Sequence, residues 1–451
     1  MINVEQISDS LKISYIDNHG QISFENIKLD KNELFEWIEN PKGNFSTWND
    51  IKISKKPKTV LNKYRIIEII NSLDDEIQNK IFSFNKPKNF SIIIETDTNC
   101  ESSNYKNPKA QILSINVLSF SNNTVFTLGL KQLNKDASKF IESKINDYVS
   151  DFNQTFKFNY RMFETEYEML YSFFGALCKK MPSILNWSIN DNWNYLVARA
   201  KKLGINVYIS SPTNKFFDQN LPMHRFVVDY MKLFEYLDTT IKVKEDLSLD
   251  WVAKNVLGKG RINYKATLKN LYDNDYLNFI VRNVIDTILI KLINDKFNLI
   301  DLVLILTNST KVSFYDCMSM ITMIESVCIK EAKKKNKIIL PNKNVKKQHY
   351  IGGYNMEPQK DLFDNIALFD CQSMYVSIIM QWNISPDVQC FENNLDCINT
   401  YNGLKFKKNE DGIFKSVISN LYNQRIEANK LAIEYKMEIE KLKTIYKNKN
   451  N

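Results

Sequence analysis

Apolar and polar positions follow two different periods along the chain, and this pattern predicts a mixed α/β protein. The run SIIIETDT at 91–98 is typical of a buried strand followed by polar residues. The runs at 111–121 and 124–130 predict two neighbouring strands, because an Asn-Asn turn separates them. The sequence predicts an amphipathic helix at 165–182 and further helices at 62–84, 194–204, 226–237, 246–258, 266–275 and 277–295. Strands and helices therefore alternate from 90 to 295, which indicates one α/β domain.

The second half of the chain has a different pattern. Residues 298–335 are apolar and helical in their spacing, and a basic stretch at 330–350, broken by Pro341, follows as a linker. A strand-like apolar run then ends at Asp370, and a last helix is predicted from about 413 to 447. A lone carboxylate between two apolar runs is unfavourable to bury, so Asp370 is expected to serve a specific purpose.

Composition narrows the class of protein. The 451 residues are 44% hydrophobic and 25% charged, as in an ordinary globular chain. Sixty Lys and Arg residues against 52 Asp and Glu give a net charge of +8, which permits nucleic acid as a partner without demonstrating it. The N-terminus is polar and no apolar run approaches about 18 residues, so no signal peptide or membrane span is expected.

Cysteine and histidine usage argues against a zinc site. None of the seven cysteines forms a C-x-x-C pair, and the chain has only three scattered histidines. A disulfide framework is also not expected, so the sequence predicts reduced thiols and a cytoplasmic protein.

The segment FDCQSMYVSIIMQWNISPD at 369–387 carries the most specific chemistry of the chain. An Asp at a strand end, followed by a tight turn and an aromatic residue, suits a site that holds divalent ions and a triphosphate. The ordinary alternative is that Asp370 caps a helix at 374–381, and composition alone favours this capping role.

The order of residues in this segment resembles motif A of family B DNA polymerases, whose pattern is roughly D-x-x-S-L-Y-P-S-I-I followed by N-I-S/C-P-E. Met374 stands for the usual Leu, and Val376 stands for the usual Pro. The matching positions are Asp370, Ser373, Tyr375, Ser377, Ile378, Ile379, Asn383, Ile384 and Pro386. The match has no gap, and the flanking segments 350–353, 356–365 and 410–430 resemble other elements of the same family.

The resemblance implies a role for each matched residue. Asp370 and the carbonyl of Cys371 would bind the catalytic Mg²⁺ ions, with Asp370 as the catalytic carboxylate. Tyr375 would exclude a 2′-hydroxyl from the sugar site. The remaining nucleotide-binding residues would be Ser373, Met374, Asn383 and Arg425, and the template strand would be contacted by Tyr350, Gly352 and Gly353. The ordinary alternative for Arg425 is a solvated charge on a helix.

The chain does not contain the family's other polymerase motifs. Motif B, K-x-x-x-N-S-x-Y-G, and motif C, typically Y-x-D-T-D, have no counterpart in the expected region. One Asp cannot hold two Mg²⁺ ions, so a second chain carrying both motifs would complete the site. A natural split enzyme is favoured over two alternatives, a truncated relic and an artificially shortened chain.

Residues 186–205 and 279–287 resemble, more weakly, parts of the 3′–5′ exonuclease domain of phage-type members. The first exonuclease motif, D-I-E-T, keeps Glu95, but Ile93 replaces its Asp. In the second motif, Asn192 takes the Asp position, and a shift of one residue would use Asp191 instead. The third motif keeps Asp286, but Arg282 replaces its Tyr. A retained structural domain is therefore favoured over an active exonuclease. Asp97 could substitute as a ligand only across a displacement of about 7 Å, because it lies two residues further along the strand.

The sequence therefore predicts a multidomain α/β (α+β) protein similar to the N-terminal part of a phage-type family B DNA polymerase. Its predicted parts are an N-terminal domain at 1–88, a degenerate, RNase H-like exonuclease domain at 89–300, a helical and basic linker at 301–345, a partial palm at 346–412 and the start of the fingers at 413–451.

The predicted function is template-directed DNA synthesis in a bacterial or phage-infected cytoplasm. The expected partners are a DNA primer-template, deoxynucleoside triphosphates, two Mg²⁺ ions and the second chain, so the isolated chain is expected to be inactive. One alternative is a non-catalytic DNA-binding or scaffolding relic, and another is a 3′–5′ exonuclease.

Overall fold

The computed structural model describes residues 1, 3–97, 103–180, 183–205, 207, 225–238, 241, 245–340, 353–354, 356–391 and 396–449. Its strands are β1 Asn3–Ile7, β2 Ser10–Ile16, β3 Ile22–Lys28, β4 Phe35–Glu39, β5 Phe45–Ser46, β6 Lys52–Pro57, β7 Asn89–Thr96, β8 Ile112–Ser119, β9 Thr124–Gly129, β10 Lys157–Met162, β11 Ser183–Asn186, β12 Phe226–Asp229, β13 Gln389–Cys390, β14 Cys397–Asn399 and β15 Lys405–Lys407.

The α-helices are α1 Lys63–Ile70, α2 Asp75–Ile81, α3 Lys135–Val149, α4 Glu166–Lys180, α5 Tyr195–Lys202, α6 Tyr230–Leu237, α7 Leu249–Leu257, α8 Leu268–Asn274, α9 Tyr276–Phe297, α10 Leu299–Thr310, α11 Met320–Lys334, α12 Met374–Trp382 and α13 Ile413–Lys449. A π-helical turn, Asn190–Asn194, precedes α5. Among the described residues no helix is both long enough and apolar enough to span a membrane.

The chain divides into two compact units. The first consists of Met1–Leu29 and Asp74–Ser319, and the second of Asp30–Leu73 and Met320–Asn451. Residues 30–73 thus group with the C-terminal half, although they lie inside the predicted N-terminal domain at 1–88. The predicted domain boundaries remain predictions.

The first unit is built on a six-stranded sheet in the order β10-β9-β8-β7-β11-β12. β7, β8 and β9 are antiparallel neighbours, whereas β11 is parallel to both β7 and β12. One face of β7 carries Ile92 and Ile94, which belong to the buried core that also contains Leu196 of α5. Side chains alternate along a strand, so Ile93 and Glu95 lie on the other face, where α9 packs. The predicted α/β class and the Asn-Asn turn before β9 are confirmed.

The second unit contains two small three-stranded sheets and the long helix α13. Its described core includes Cys328 and Ala332 of α11 together with Ile413 and Val417 at the start of α13. From residue 423 to residue 446 every described side chain is exposed. Only the first turns of α13 are therefore anchored within this unit.

Four predictions about local structure are wrong, and one of them is the helix predicted at 226–237, because Phe226–Asp229 form strand β12 and α6 begins at Tyr230. The helix predicted at 62–84 is two helices, because Asp74 forms a second N-terminus after Ser72 and Leu73. The run before Asp370 is not a strand, since residues 359–370 lie outside helices and strands and pair with no neighbouring strand. An unpaired strand leaves its backbone groups without ladder partners, so the run has no stable strand conformation here.

The fourth error concerns the thiols. The structure pairs Cys390 at the end of β13 with Cys397 at the start of β14 in a disulfide, whereas the sequence predicted reduced cysteines. Six residues separate the two cysteines along the chain, but both strands flank β15. The fold therefore brings together two thiols whose spacing alone gave no signal.

Candidate functional site

The motif A segment places its catalytic candidate in solvent. Asp370 and Cys371 are exposed, and α12 begins four residues after Asp370 at Met374. Ser373 adopts a left-handed backbone conformation with φ 51° immediately before the helix. The first-turn amides of a helix have no acceptor within it, so those of residues 374–376 are available to an anion.

Two further polymerase candidates are accessible on helices. Tyr375 is 75% exposed in the first turn of α12. Arg425 is exposed on α13, and among the described residues it has no ion-pair partner. Helices α12 and α13 pack against each other within the second unit. Both side chains are therefore accessible to a ligand.

Asn383 has a different environment from the other candidates. It ends α12 in a left-handed conformation that asparagine tolerates well, and it is only 1% exposed. Its side-chain Nδ2 donates to the carbonyl oxygens of Lys407 at 2.7 Å and Glu410 at 2.8 Å, and its Oδ1 accepts from the Gly412 amide at 2.8 Å. The structure thus gives Asn383 a structural role, and its predicted nucleotide contact remains a prediction.

Ser385 and Asp387 continue this arrangement at the start of α13. The Ser385 hydroxyl accepts from the Phe414 amide at 3.1 Å, and the Asp387 carboxylate accepts from the Ile413 amide at 3.0 Å. Alternate residues therefore cap the N-terminus of the helix that carries Arg425. We call Asn383, Ser385 and Asp387 the 383–387 clamp. Sequence reasoning missed it, although three polar residues at every second position were a usable signal.

The template-contact candidates lie mostly outside the described residues. This applies to Tyr350 and Gly352, while Gly353 is described and exposed. The site prediction for these residues therefore remains untested.

The exonuclease-like candidates lie in the first unit and are partly brought together. Asp286 of α9 is 0% exposed, and Glu95 lies on the face of β7 that α9 covers. Burial raises the pKa of Glu95 to about 7, and Asp286 adds to this rise, whereas Arg261 and Arg282 oppose it. Burial also raises the pKa of Asp286, and its bonds with Arg261 oppose that rise.

The second-motif candidates do not join this carboxylate pair. Asn192 is buried, and its Oδ1 accepts from the Ile94 amide at 2.9 Å while its Nδ2 donates to the Ser188 carbonyl at 3.0 Å. Asp191 is exposed. Asp97, the possible substitute, lies 4.0 Å from the ammonium of Lys269. Sequence reasoning missed Arg261, which contacts Asp286 although the two lie 25 positions apart in the chain.

Neither region gathers enough ligands for a metal ion. Across the described parts of the chain, no group of three or more His, Cys, Asp or Glu side chains is placed to hold one. The Asp370 carboxylate is a suitable type of ligand for Mg²⁺, which prefers oxygen. However, it belongs to no described group of three or more such side chains, so the residues present do not by themselves fit two ions.

Comparison with known proteins shows similarity to DNA polymerases. Residues 310–450 match the model of DNA polymerase family B. The chain is 26% identical over 315 residues to the DNA-directed DNA polymerase of Enterobacteria phage T4, covering 63% of this chain and 35% of that enzyme. It is 24% identical over 306 residues to the corresponding enzyme of Escherichia phage RB69, covering 60% and 33%.

A DNA polymerase of Archaeoglobus fulgidus is 36% identical over 105 residues, which is 23% of this chain and 13% of that protein. The chain thus spans about a third of the length of the phage enzymes it matches. The chain is therefore similar, over part of their length, to the phage-type family B DNA polymerases.

Proposed function

We propose that this chain is the N-terminal part of a split family B DNA polymerase and acts in template-directed DNA synthesis only with a second chain. The observation that carries the proposal is the ungapped motif A match from Asp370 to Pro386, in which Asp370 and Tyr375 are both exposed. In a globular chain an exposed functional segment held on a packed helix is typical of a binding site.

The named residues would act together on a deoxynucleoside triphosphate. The amides of residues 374–376 would donate to phosphate oxygens, and the Arg425 guanidinium would pair with the triphosphate tail. Tyr375 would lie beneath the sugar. The 383–387 clamp would fix the start of α13, and with it the position of Arg425.

Divalent ions enter this proposal through Asp370 and the Cys371 carbonyl. Two bound Mg²⁺ ions would stabilise charge on the reacting phosphate. Acidic residues of the second chain would supply the ligands that the described residues lack. This chain's own contribution is therefore one carboxylate, the phosphate-binding amides and the sugar contact.

Two exposed apolar surfaces support the proposal that a second chain binds here. The segment 362–369 exposes Leu362 and Leu368 at 92% each and Phe369 at 91%. On α13, the side chains of Tyr435, Ile439, Leu442 and Tyr446 are all more than half exposed, and their alternating spacing of four and three residues lines one side of the helix. Apolar surface of this extent marks contact with another protein.

The topology of the first unit supports an exonuclease-type domain. Three antiparallel strands, β9, β8 and β7, continue into the parallel strands β11 and β12, which is the order that an RNase H-like sheet requires. Its damaged motifs favour a supporting role for this domain in the polymerase rather than hydrolysis.

A non-catalytic DNA-binding or scaffolding relic is the second candidate. One observation favours it: among the described residues, Asp370 belongs to no group of three or more side chains that could hold a metal ion. Under this alternative, the apolar surfaces would still bind another protein, but Asp370 would have no catalytic role.

The test is to isolate the native complex through a tag on this chain, identify the co-purifying proteins by mass spectrometry and assay primer extension. Extension together with a partner that carries motifs B and C supports the split polymerase. If no such partner co-purifies and the complex does not extend a primer, the result supports the non-catalytic relic instead.

A further inference from the structure

The first unit contains an ion pair at the position where an exonuclease would hold metal. The Arg261 Nε lies 2.8 Å from Oδ1 and 2.9 Å from Oδ2 of Asp286, and Nη2 also donates to Oδ2. The Asp286 side chain is 0% exposed, whereas that of Arg261 is 31% exposed. Arg261 therefore reaches inward from the surface and covers both oxygens of a buried carboxylate, an arrangement that suits a planar guanidinium.

The backbone around Arg261 is fixed in this orientation. Its own amide donates to Asp250 Oδ1 at 2.7 Å, and the carbonyl of Gly260 accepts from the Tyr148 hydroxyl. A Cβ atom at position 260 would come within 2.3 Å of Asp250 Oδ1, so a larger residue would have to displace that side chain. The guanidinium is thus held over Asp286 by contacts with α3 and α7.

A second cation lies close to the same carboxylates. Arg282 precedes Asp286 by four residues on α9, and therefore lies about one turn away along the helix. Its buried Nε has no hydrogen-bond partner among the described residues. Two guanidinium groups therefore act on Glu95 and Asp286, and the neighbouring Asp250 is paired with Lys254, so the cluster already holds as many cations as carboxylates.

We propose that Arg261 takes the place of the metal ions in this exonuclease-like domain as a permanent internal cation. The side chains on this face of β7 also argue against a metal ion, because Ile93 lies on the same face as Glu95 and cannot bind one. The residues present do not fit a divalent ion. The domain keeps the buried carboxylates without metal and does not carry out metal-dependent hydrolysis.

This inference rests on the ion-pair geometry and does not depend on the polymerase proposal. Breaking a buried pair by removing one partner is strongly destabilising, because the other charge stays buried, whereas removing both is far less so. A metal ligand behaves differently: its loss abolishes stabilisation by the ion. The two possibilities therefore give different thermal unfolding patterns.

The experiment measures thermal unfolding of the full chain for the wild type, Arg261→Ala, Asp286→Asn and the double variant. Each single change is expected to lower the unfolding midpoint by several degrees. The double variant should lose clearly less than the sum of the two. Single changes without effect, or losses that simply add, would overturn the proposal.

A second measurement remains decisive if a variant fails to fold. Millimolar MnCl₂ is added to the wild-type chain, and the unfolding midpoint of the first unit is expected not to change. A rise of this midpoint in the wild-type chain would mean that a metal ion binds the first unit and would overturn the proposal. The matched control for Arg261→Ala in the thermal unfolding experiment is Arg199→Ala. It breaks the ion pair with Glu166 in the same unit but leaves the Arg261 pair intact.

Discussion

The two acidic regions of this chain differ in how their charge is balanced. Asp286 is inaccessible and bonded through both oxygens to Arg261, whereas Asp370 is exposed and has no described ion-pair partner. A buried carboxylate needs a permanent partner within the fold, but an exposed one is stabilised by water until a ligand arrives. The first arrangement suits a structural role, and the second leaves a carboxylate available for ions and a partner chain.

The largest effect is expected at Asp370. Replacing it by Asn in the assembled complex should reduce primer extension at least about 100-fold, because even outer contacts of a metal site are worth 10–100-fold. Co-purification of the second chain should not change. The matched control is Asp364→Asn, another exposed carboxylate in the same segment. Near-normal synthesis by the Asp370 variant would refute its catalytic role.

The next effect is expected at the 383–387 clamp. Asp387→Ala removes the acceptor of the Ile413 amide and leaves Lys335, 3.6 Å away, without this carboxylate. Loss of such a cap should lower the free energy of unfolding of the second unit by about 2 kcal/mol. Urea unfolding followed by tryptophan fluorescence measures this change. A loss no greater than that of Asp364→Ala would show that the clamp does not stabilise α13.

The exposed side of α13 should affect binding rather than stability. Ile439→Glu should change the free energy of unfolding by less than about 0.5 kcal/mol, because the residue is 51% exposed. It should nevertheless reduce co-purification of the second chain. Met437→Glu is the matched control, since Met437 is 56% exposed but points to the other side of the helix. Equal losses of co-purification for both variants would contradict specific binding through this side of α13.

The smallest effect is expected from restoring the first exonuclease acid. Ile93→Asp should leave degradation of single-stranded DNA at background in Mg²⁺ or Mn²⁺, because Arg261 still pairs with both oxygens of Asp286. Circular dichroism checks that the variant folds. Metal-dependent degradation by Ile93→Asp alone would show that Arg261 does not block the site.

The sequence is informative wherever local pattern decides structure. The Asn-Asn turn between β8 and β9, the amphipathic helix α7 and the apolar helix α9 follow from residues close together in the chain. The order of residues in motif A and its downstream flank is likewise sufficient to single out Asp370, Tyr375 and Arg425 as candidates.

Other features depend on contacts that local pattern cannot show. Arg261 and Asp286 meet only after α7 to α9 have packed, and Cys390 and Cys397 meet only across β15. The run before Asp370 has strand-like composition, yet it forms no strand here because no neighbouring strand pairs with it. Asn383 illustrates a further limit, since its motif position predicts a nucleotide contact while its amide is used in the 383–387 clamp.

The most direct test of this contrast is to count bound Mn²⁺ by electron paramagnetic resonance in the isolated chain and in the native complex. The account predicts no bound ion in the isolated chain and two in the complex with nucleotide. Those two should be lost with Asp370→Asn and kept with Asp286→Asn. Ions that bind the isolated chain and disappear with Asp286→Asn would contradict the account.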